Sequence, residues 1–166
     1  MSWQKVKKTM SDILTAAESK GATIEVLLVE DSPGDVRLMQ EVFRSVNKLI
    51  HLQVAADGVE AMAILRQWGS YARCPRPDLI LLDLNLPKMD GREVLALIKE
   101  DGALKMIPTI VLTMSDLEVD IEQSYQHKAN CYLRKPVDLA AFEDLVKNID
   151  DFWLKKVKLP RKVESR

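Results

Sequence analysis

The chain carries the stretch Val26-Leu27-Leu28-Val29-Glu30-Asp31, in which four apolar residues are followed at once by two acidic residues. Three later stretches repeat this plan of an apolar run that ends in polar residues. They are Leu79-Ile80-Leu81-Leu82-Asp83, Ile110-Val111-Leu112-Thr113 and Cys131-Tyr132-Leu133-Arg134-Lys135. Short apolar runs bounded in this way are typical of strands buried on both faces. If these runs are neighbouring parallel strands, their polar ends meet at the sheet edge where ligands bind in open α/β folds.

The chain alternates strand-like and helix-like segments five times. Strand-like runs lie near 25–30, 52–56, 78–83, 107–113 and 130–134, and helix-like segments near 34–47, 58–69, 90–100, 117–127 and 138–155. This alternation predicts a parallel sheet with helices on both faces, in a doubly wound α/β fold with right-handed crossovers. Helix N-caps are predicted at Asp31-Ser32, Ser115-Asp116 and Asp138.

The bulk composition is that of an ordinary globular domain. A length of 166 residues suits one domain, and a net charge of −1 gives no general attraction to nucleic acid. No run approaches the roughly 18 apolar residues of a membrane span, and no signal peptide is recognisable, so we expect a cytoplasmic protein. Two cysteines, Cys74 and Cys131, predict no framework of disulfides.

The polar strand ends predict metal and phosphoryl chemistry. Glu30, Asp31 and Asp83 offer three carboxylates against the single ammonium group of Lys135. This surplus of negative charge favours a hard cation, and a ligand set made only of oxygen suits Mg²⁺. An aspartate can also act as a nucleophile and hold a phosphoryl group. Lys135 and Mg²⁺ would then neutralise the phosphoryl oxygens, while Thr113 would donate a hydrogen bond.

This ordered set of residues resembles the receiver domain of bacterial two-component response regulators, over roughly Ile24 to Trp153. The segment Leu86-Pro87-Lys88-Met89-Asp90-Gly91 after the central aspartate adds to the resemblance. The resemblance implies a flavodoxin-like fold, with a five-stranded parallel sheet of order 2-1-3-4-5. We therefore expect an N-terminal amphipathic helical extension (1–23), a receiver domain (24–155) and a basic C-terminal tail (156–166).

The same resemblance implies how the phosphoryl and metal site is built. Asp83 is the expected phosphoacceptor. Glu30, Asp31 and Asp83, with the backbone carbonyl of Asn85, are the expected Mg²⁺ ligands. The family often has two aspartates where this chain has Glu30-Asp31, so one arm of the acid pair is longer here.

The resemblance also implies a switch on the far side of the site. Thr113 and Tyr132 occupy the positions of the family's switch hydroxyl and switch aromatic residue. Lys135 falls on the family lysine, and its peptide bond to Pro136 is expected to be cis, which is uncommon even before proline.

A narrower similarity concerns the partners. The stretches 29–38 and 152–154 are similar to those of the single-domain regulators that partner cyanobacterial phytochromes. This similarity implies a phytochrome-type, light-sensing histidine kinase as phosphodonor. A homodimer is expected through the side formed by the fourth helix, fifth strand and fifth helix, and packing by the N-terminal helix is an equally physical use of that surface. The dimer candidates are Phe142, Leu145, Phe152 and Trp153.

Both ends of the chain leave alternatives open. Trp3, Val6, Met10, Ile13 and Ala17 form an apolar stripe at helical spacing. This stripe predicts a helix that packs on its own domain, or one that contacts a second copy or a partner. The basic tail is interpreted as a solvated end or as a contact for an anion or partner.

Two other functions compete with a phosphorylation-operated, stand-alone receiver. Aspartate-nucleophile phosphohydrolases usually carry a second aspartate two residues after the nucleophile, where this chain has Asn85, which cannot act as a general acid. Pseudo-receivers usually lose an acidic or lysine position, and this chain keeps them. We therefore expect a signalling domain with slow self-dephosphorylation, no further enzymatic activity and no DNA-binding output domain.

Overall fold

The computed structural model describes residues 22–160, which build one five-stranded parallel sheet. The strands are β1 (Ile24–Val29), β2 (Ile50–Ala55), β3 (Leu79–Leu82), β4 (Thr109–Thr113) and β5 (Cys131–Arg134). Their order in the sheet is β2-β1-β3-β4-β5, and each neighbouring pair is parallel. The predicted fold class is therefore confirmed. The strand order reverses at β1 and β3, which places the expected ligand crevice at the carboxyl ends of these strands.

Four helices connect the strands, a fifth follows β5, and together they cover both faces of the sheet. They are α1 (Pro33–Val46), α2 (Gly58–Leu65), α3 (Gly91–Glu100), α4 (Glu118–Gln126) and α5 (Leu139–Ile149). A short 3-10 turn at Gly69–Tyr71 follows α2, and one π-helical segment, Asp150–Leu154, continues α5.

Two of the three predicted N-caps are confirmed. The Ser32 side chain accepts from the Asp35 backbone N–H at the start of α1, and the Asp138 side chain accepts from the Ala141 backbone N–H at the start of α5. The prediction for α4 is wrong, because that helix starts after Leu117, which gives no side-chain cap. The Ser115 hydroxyl is instead directed to a carboxylate inside α4, at Asp120.

Two hydrophobic clusters hold the helices against the sheet. One lies under α2 and α3 and the other under α1 and α5, and both use side chains from the central strands. All four residues of β3 are 0% exposed, which is why its sequence is apolar without alternation. The polar residues that follow β1 and β3 are therefore held in position by the buried strands that precede them.

The packing of α5 shows that one of the four predicted dimer contacts is a core residue. Phe142, Val146 and Ile149 recur at helical spacing and pack into the cluster shared with α1. Phe142 is only 4% exposed, so it is a core residue and cannot form a dimer contact. The other three candidates line an open groove beside β5, namely Leu145, Phe152 and Trp153. A homodimer through this surface stays a prediction.

The two predicted end segments lie largely outside the described residues. These include neither 1–21 nor 161–166, so the N-terminal helix and most of the basic tail are not tested. Within the described part of the tail, Leu159 packs against the cluster under α1 and α5. No helix among residues 22–160 is long and apolar enough to cross a membrane.

Lys99 of α3 is a nearly buried lysine at the end of the sheet opposite the acidic residues. Its ammonium group donates to the carbonyls of Lys105 (3.3 Å) and Ile107 (2.9 Å) and to Asn130 Oδ1 (3.0 Å). These acceptors are all uncharged. Burial lowers the pKa of Lys99 to about 8.

This environment predicts a measurable pH dependence of stability. The unfolded chain holds the Lys99 proton up to its ordinary pKa of about 10.4, and the folded chain releases it near 8. In that window the unfolded state binds more protons, so the wild type should gain unfolding free energy as pH rises, relative to Lys99→Met. Urea unfolding at several pH values measures the difference in unfolding free energy between the two proteins. The contributions of all other titrating groups cancel in this difference, because both proteins contain them. A difference that stays constant from pH 7 to about 10 would mean that the carbonyl hydrogen bonds offset the effect of burial.

Candidate functional site

The ends of β1 and β3 bring three acidic side chains together. One carboxylate oxygen each from Glu30, Asp31 and Asp83 lies within 4.8 Å of the other two. The Glu30 backbone N–H donates to Ala55 and the Asp83 backbone N–H donates to Val29, which extends the sheet bonding to these positions. Glu30 and Asp83 are buried and Asp31 is exposed. The acidic group is thus fixed at its base and open to solvent on one side.

Lys135 lies at the centre of this group. Its Nζ donates to Glu30 Oε2, to Asp83 Oδ2 at 2.9 Å and to Asp35 Oδ2 at 3.0 Å. The Lys135 backbone N–H donates to the carbonyl of Thr113, which anchors the lysine to the end of β4. The three protons of the ammonium group therefore meet three carboxylates.

Burial and charge act in opposite directions on this cluster. Burial raises the pKa of Glu30 to about 7, whereas its hydrogen bond and charge interaction with Lys135 lower it. Burial disfavours the charged form of Lys135, but the hydrogen bonds and charges of Glu30 and Asp83 outweigh burial and hold the pKa of Lys135 above its ordinary value. Lys135 is therefore a permanent cation among carboxylates that compete for it.

The peptide bond between Lys135 and Pro136 is trans, since residues 22–160 contain no cis peptide bond. The predicted cis bond is therefore wrong. Before proline, the trans form is favoured by roughly 0.5–1 kcal/mol. Lys135 reaches all three carboxylates from a trans bond, so this arrangement of the site does not demand the less stable isomer.

The two predicted switch residues contact the same stretch of chain after β4. Thr113 is fully buried, and its Oγ1 accepts from the Ser115 backbone N–H at 3.5 Å. The Tyr132 hydroxyl donates to the Ser115 carbonyl at 2.9 Å. The geometry joins Thr113 and Tyr132 through Ser115, and their role as a switch stays a prediction.

An ion-pair network behind the switch was missed by the sequence analysis. Arg92, at the start of α3, lies 2.7 Å from Asp120 Oδ1 in α4. The Ser115 hydroxyl donates to Asp120 Oδ2 at 2.5 Å. The bond from Ser115, with the ion pair to Arg92, holds the pKa of Asp120 below its ordinary value, even though the residue is buried. The network links α3 and α4 through the connection that carries Ser115.

Asp35 was also missed, although it is a fourth carboxylate of the site. It lies in the first turn of α1, three residues after the N-cap Ser32, and contacts the Lys135 ammonium group. Its distance of three residues from the N-cap could have predicted this position. A helix that starts at the site brings the residues of its first turn close to the site.

The loop after Asp83 is tightly packed at its two ends. Asp83 Oδ1 accepts from the Asn85 backbone N–H at 3.2 Å. At Gly91, a Cβ atom would lie 2.0 Å from the Asp83 carbonyl oxygen and 2.6 Å from Leu84 Cα. Position 91 therefore admits only glycine while the loop stays in place. Whether the Asn85 carbonyl serves as a metal ligand stays a prediction.

The middle of this loop is tied to α2 by an ion pair that the sequence analysis did not find. Lys88 has a φ of 63°, and its Nζ lies 2.6 Å from Asp57 Oδ2. Asp57 is also the N-cap of α2, and its hydrogen bond with Lys88 lowers its pKa. At Gly58, a Cβ atom would lie 2.2 Å from the Met89 carbonyl oxygen, so loop and helix are in direct contact.

The donors of the acidic group fit a hard divalent cation. They are carboxylate oxygens, with no histidine or cysteine among them. Glu30, Asp31, Asp35 and Asp83 carry four formal negative charges against the one positive charge of Lys135. Ions such as Mg²⁺ and Mn²⁺ prefer oxygen ligands and would offset this surplus.

Comparison with known proteins agrees with this geometry. The family model described as the response regulator receiver domain matches residues 26–149. The response regulator Rcp1 of Synechocystis sp. is 52% identical over 135 residues, which cover 81% of this chain and 92% of Rcp1.

Solved structures show the same likeness. The Mn(2+)-bound form of Rcp1 has a TM-score of 0.81 and 51% identity, and the match covers 83% of this chain and 99% of that one. The phosphorylated cyanobacterial phytochrome response regulator RcpA has a TM-score of 0.82 and 50% identity, covering 84% and 100%. The resemblance to cyanobacterial phytochrome response regulators is thus confirmed. From the acidic strand ends, the sheet order and these matches, it follows that this chain belongs to the response regulator receiver domain family.

Proposed function

We propose that this chain is a phosphorylation-operated signalling module that accepts a phosphoryl group on Asp83 in a Mg²⁺-dependent reaction. The arrangement of Asp83 carries the proposal. Asp83 is buried, and its carboxylate lies at the acidic edge of the sheet, with one oxygen held by Lys135 and the other by the Asn85 backbone N–H. A carboxylate held by donors on both oxygens is oriented for reaction rather than buried for packing.

The proposed transfer is a simple displacement. An Asp83 carboxylate oxygen attacks the phosphorus atom of a phosphohistidine on the donor kinase, and an acyl phosphate forms. The P–N bond breaks, and its electron pair leaves with the imidazole nitrogen. Lys135 stabilises negative charge on the phosphoryl oxygens, and Thr113 would donate a hydrogen bond to them.

The acidic side chains would hold the cation. Glu30, Asp31 and Asp83, with the Asn85 carbonyl, are the proposed ligands. Mg²⁺ bound by them would supply positive charge to the phosphoryl oxygens. Because Asp31 is exposed and Glu30 is fixed by a hydrogen bond from the Ser32 backbone N–H, the site is accessible to the ion and partly preformed.

The proposed output is a change in the protein's contacts with other macromolecules, rather than catalytic turnover of a substrate. A phosphoryl group adds roughly −1.5 to −2 charge, which can bias a bistable element. The network of Thr113, Ser115 and Tyr132 would carry this change to the side formed by α4, β5 and α5, where self-association or a downstream protein would read it. Slow hydrolysis of the acyl phosphate would end the signal.

The proposed donor is a phytochrome-type histidine kinase. The support is the likeness to RcpA, itself described as a phytochrome response regulator. The two cysteines, Cys74 and Cys131, are free thiols, which fits a proposed cytoplasmic location. Phosphotransfer from a purified phytochrome kinase, compared with an unrelated kinase at equal concentration, measures this preference. Equal rates from both kinases would remove the support for a phytochrome partner.

The first test is intact-mass measurement after incubation with acetyl phosphate, with and without Mg²⁺. We expect the wild type to gain the mass of one phosphoryl group with Mg²⁺, and excess EDTA to slow the gain on the order of 100-fold, since a metal contributes several kcal/mol to such reactions. Borohydride reduction followed by peptide mapping should place the label at residue 83. Labelling that is equally fast in EDTA would contradict the metal requirement, and no labelling in Mg²⁺ would contradict the proposed function.

A further inference from the structure

We infer that Asp35 is a positioning residue that holds Lys135 in the unphosphorylated protein and yields the lysine to the phosphoryl group on Asp83. This inference rests on the proposed function. Asp35 adds a carboxylate to the site beyond the proposed metal ligands, and its contact is with the ammonium group of Lys135 at 3.0 Å.

The first step of the argument concerns hydrogen-bond capacity. The Lys135 ammonium group has three protons, and Glu30, Asp35 and Asp83 already accept from it. A phosphoryl group on Asp83 brings further oxygen acceptors to the same place. The lysine can donate to them only by weakening or exchanging contacts that it has already made.

The second step concerns which carboxylate is easiest to release. Phosphorylation turns the Asp83 carboxylate into an uncharged acyl group. Glu30 and Asp35 are then the two carboxylates that still compete for Lys135. The side chain of Asp35 is 35% exposed, whereas that of Glu30 is 2% exposed. A carboxylate that turns into water keeps its solvation, but a buried one that loses its cation does not. Asp35 is therefore the partner whose release costs least.

The third step concerns charge. Phosphorylation adds negative charge beside residues that are already acidic. Asp35 opposes this addition in two ways, because it repels the incoming group and it competes for the cation that would neutralise it. Both effects make the Asp35 carboxylate favour the unphosphorylated state.

The helix itself does not need this side chain. The N-cap bond of α1 runs from the Asp35 backbone N–H to Ser32 Oγ at 3.3 Å, and it remains in any non-proline variant. Asp35→Asn removes the charge while keeping the size of the side chain. We therefore expect that variant to fold, and its phenotype to report on Lys135 rather than on α1.

The test compares phosphorylation rates at saturating Mg²⁺ with acetyl phosphate as donor. We expect Asp35→Asn to be labelled roughly two- to fivefold faster than the wild type, in keeping with the strength of a partly exposed ion pair. Asp35→Glu restores the carboxylate and should bring the rate back towards the wild type. Glu41→Gln makes the same charge change on an exposed position of α1 and should leave the rate unchanged.

A structural readout is independent of the rate. In a crystal structure with trifluoroberyllate as the phosphoryl analogue on Asp83, we expect Lys135 Nζ to contact the analogue and to lie beyond hydrogen-bond distance of Asp35. A retained contact between Lys135 and Asp35 would overturn the inference. So would an Asp35→Asn rate equal to or below that of the wild type, or an equal acceleration in Asp35→Glu or Glu41→Gln. These results differ from failure of the proposed function, in which the wild type itself would not be labelled.

Discussion

Replacement of Asp83 by Asn is expected to abolish phosphoryl transfer and to leave the fold intact. An amide has no anionic oxygen to attack phosphorus, so the acyl phosphate cannot form. The amide oxygen can still accept a hydrogen bond from Lys135, and Lys135 keeps Glu30 and Asp35 as charged partners. Because the variant removes one of several like charges at the sheet edge, no loss of stability is expected from repulsion.

Intact-mass measurement after incubation with Mg²⁺ and acetyl phosphate tests directly whether Asp83→Asn gains a phosphoryl group. The expected result is no mass gain in Asp83→Asn under conditions that label the wild type fully, with native circular dichroism and cooperative unfolding. Asp144→Asn makes the same change at an exposed position of α5 and should be labelled like the wild type. If Asp83→Asn were labelled at the wild-type rate, another residue would be the acceptor. Sedimentation of both proteins then shows whether any change in assembly depends on the label.

Replacement of Lys135 by Met is expected to cause a large loss of stability in metal-free protein. The change removes the cation from between two buried carboxylates, those of Glu30 and Asp83. Leaving buried charges unpaired costs about 3–5 kcal/mol, so we expect a fall in unfolding free energy of about 3 kcal/mol above pH 7, where Glu30 is charged in the wild type. Urea unfolding in EDTA measures this change.

Two further measurements show that the effect arises at the site. Mg²⁺ binds the folded state and offsets negative charge, so it should restore more stability to Lys135→Met than to the wild type. Lys105→Met, at an exposed position, should change stability by less than about 0.5 kcal/mol. A Lys135→Met protein as stable as the wild type in EDTA would mean that Glu30 and Asp83 are not both charged in the folded state.

The part of the site that lies at strand ends could be predicted from the sequence. β1 and β3 are neighbouring strands, so the residues that follow them, Glu30 and Asp83, must lie side by side at the carboxyl edge of the sheet. Lys135 follows β5 at the same edge and reaches them across the end of β4 through its long side chain. Their apolar runs are also unambiguous, because a strand buried on both faces has no polar positions that would blur its limits.

The parts that depend on helix rotation or loop shape could not be predicted in this way. Asp35 and Arg92 belong to first turns of helices, where the direction of a side chain depends on how the helix sits on the sheet. Phe142 and Phe152 belong to one predicted helix, 138–155, and only its packing on the sheet shows that the first is core and the second 55% exposed. The isomer of the Lys135–Pro136 bond differs by too little energy, roughly 0.5–1 kcal/mol, for sequence to decide.

The loop after Asp83 is held at Gly91, at Met89 against Gly58, and at Lys88 through Asp57. A segment held at three points has few conformations to lose when another macromolecule covers it. The entropic cost of ordering flexible side chains and loops usually weakens association. In the loop after Asp83 this entropy is largely lost already on folding. We therefore expect any protein that docks over the acidic edge to contact a loop that already has its bound conformation. Association there should then be governed by charge and by fit rather than by rearrangement of the loop.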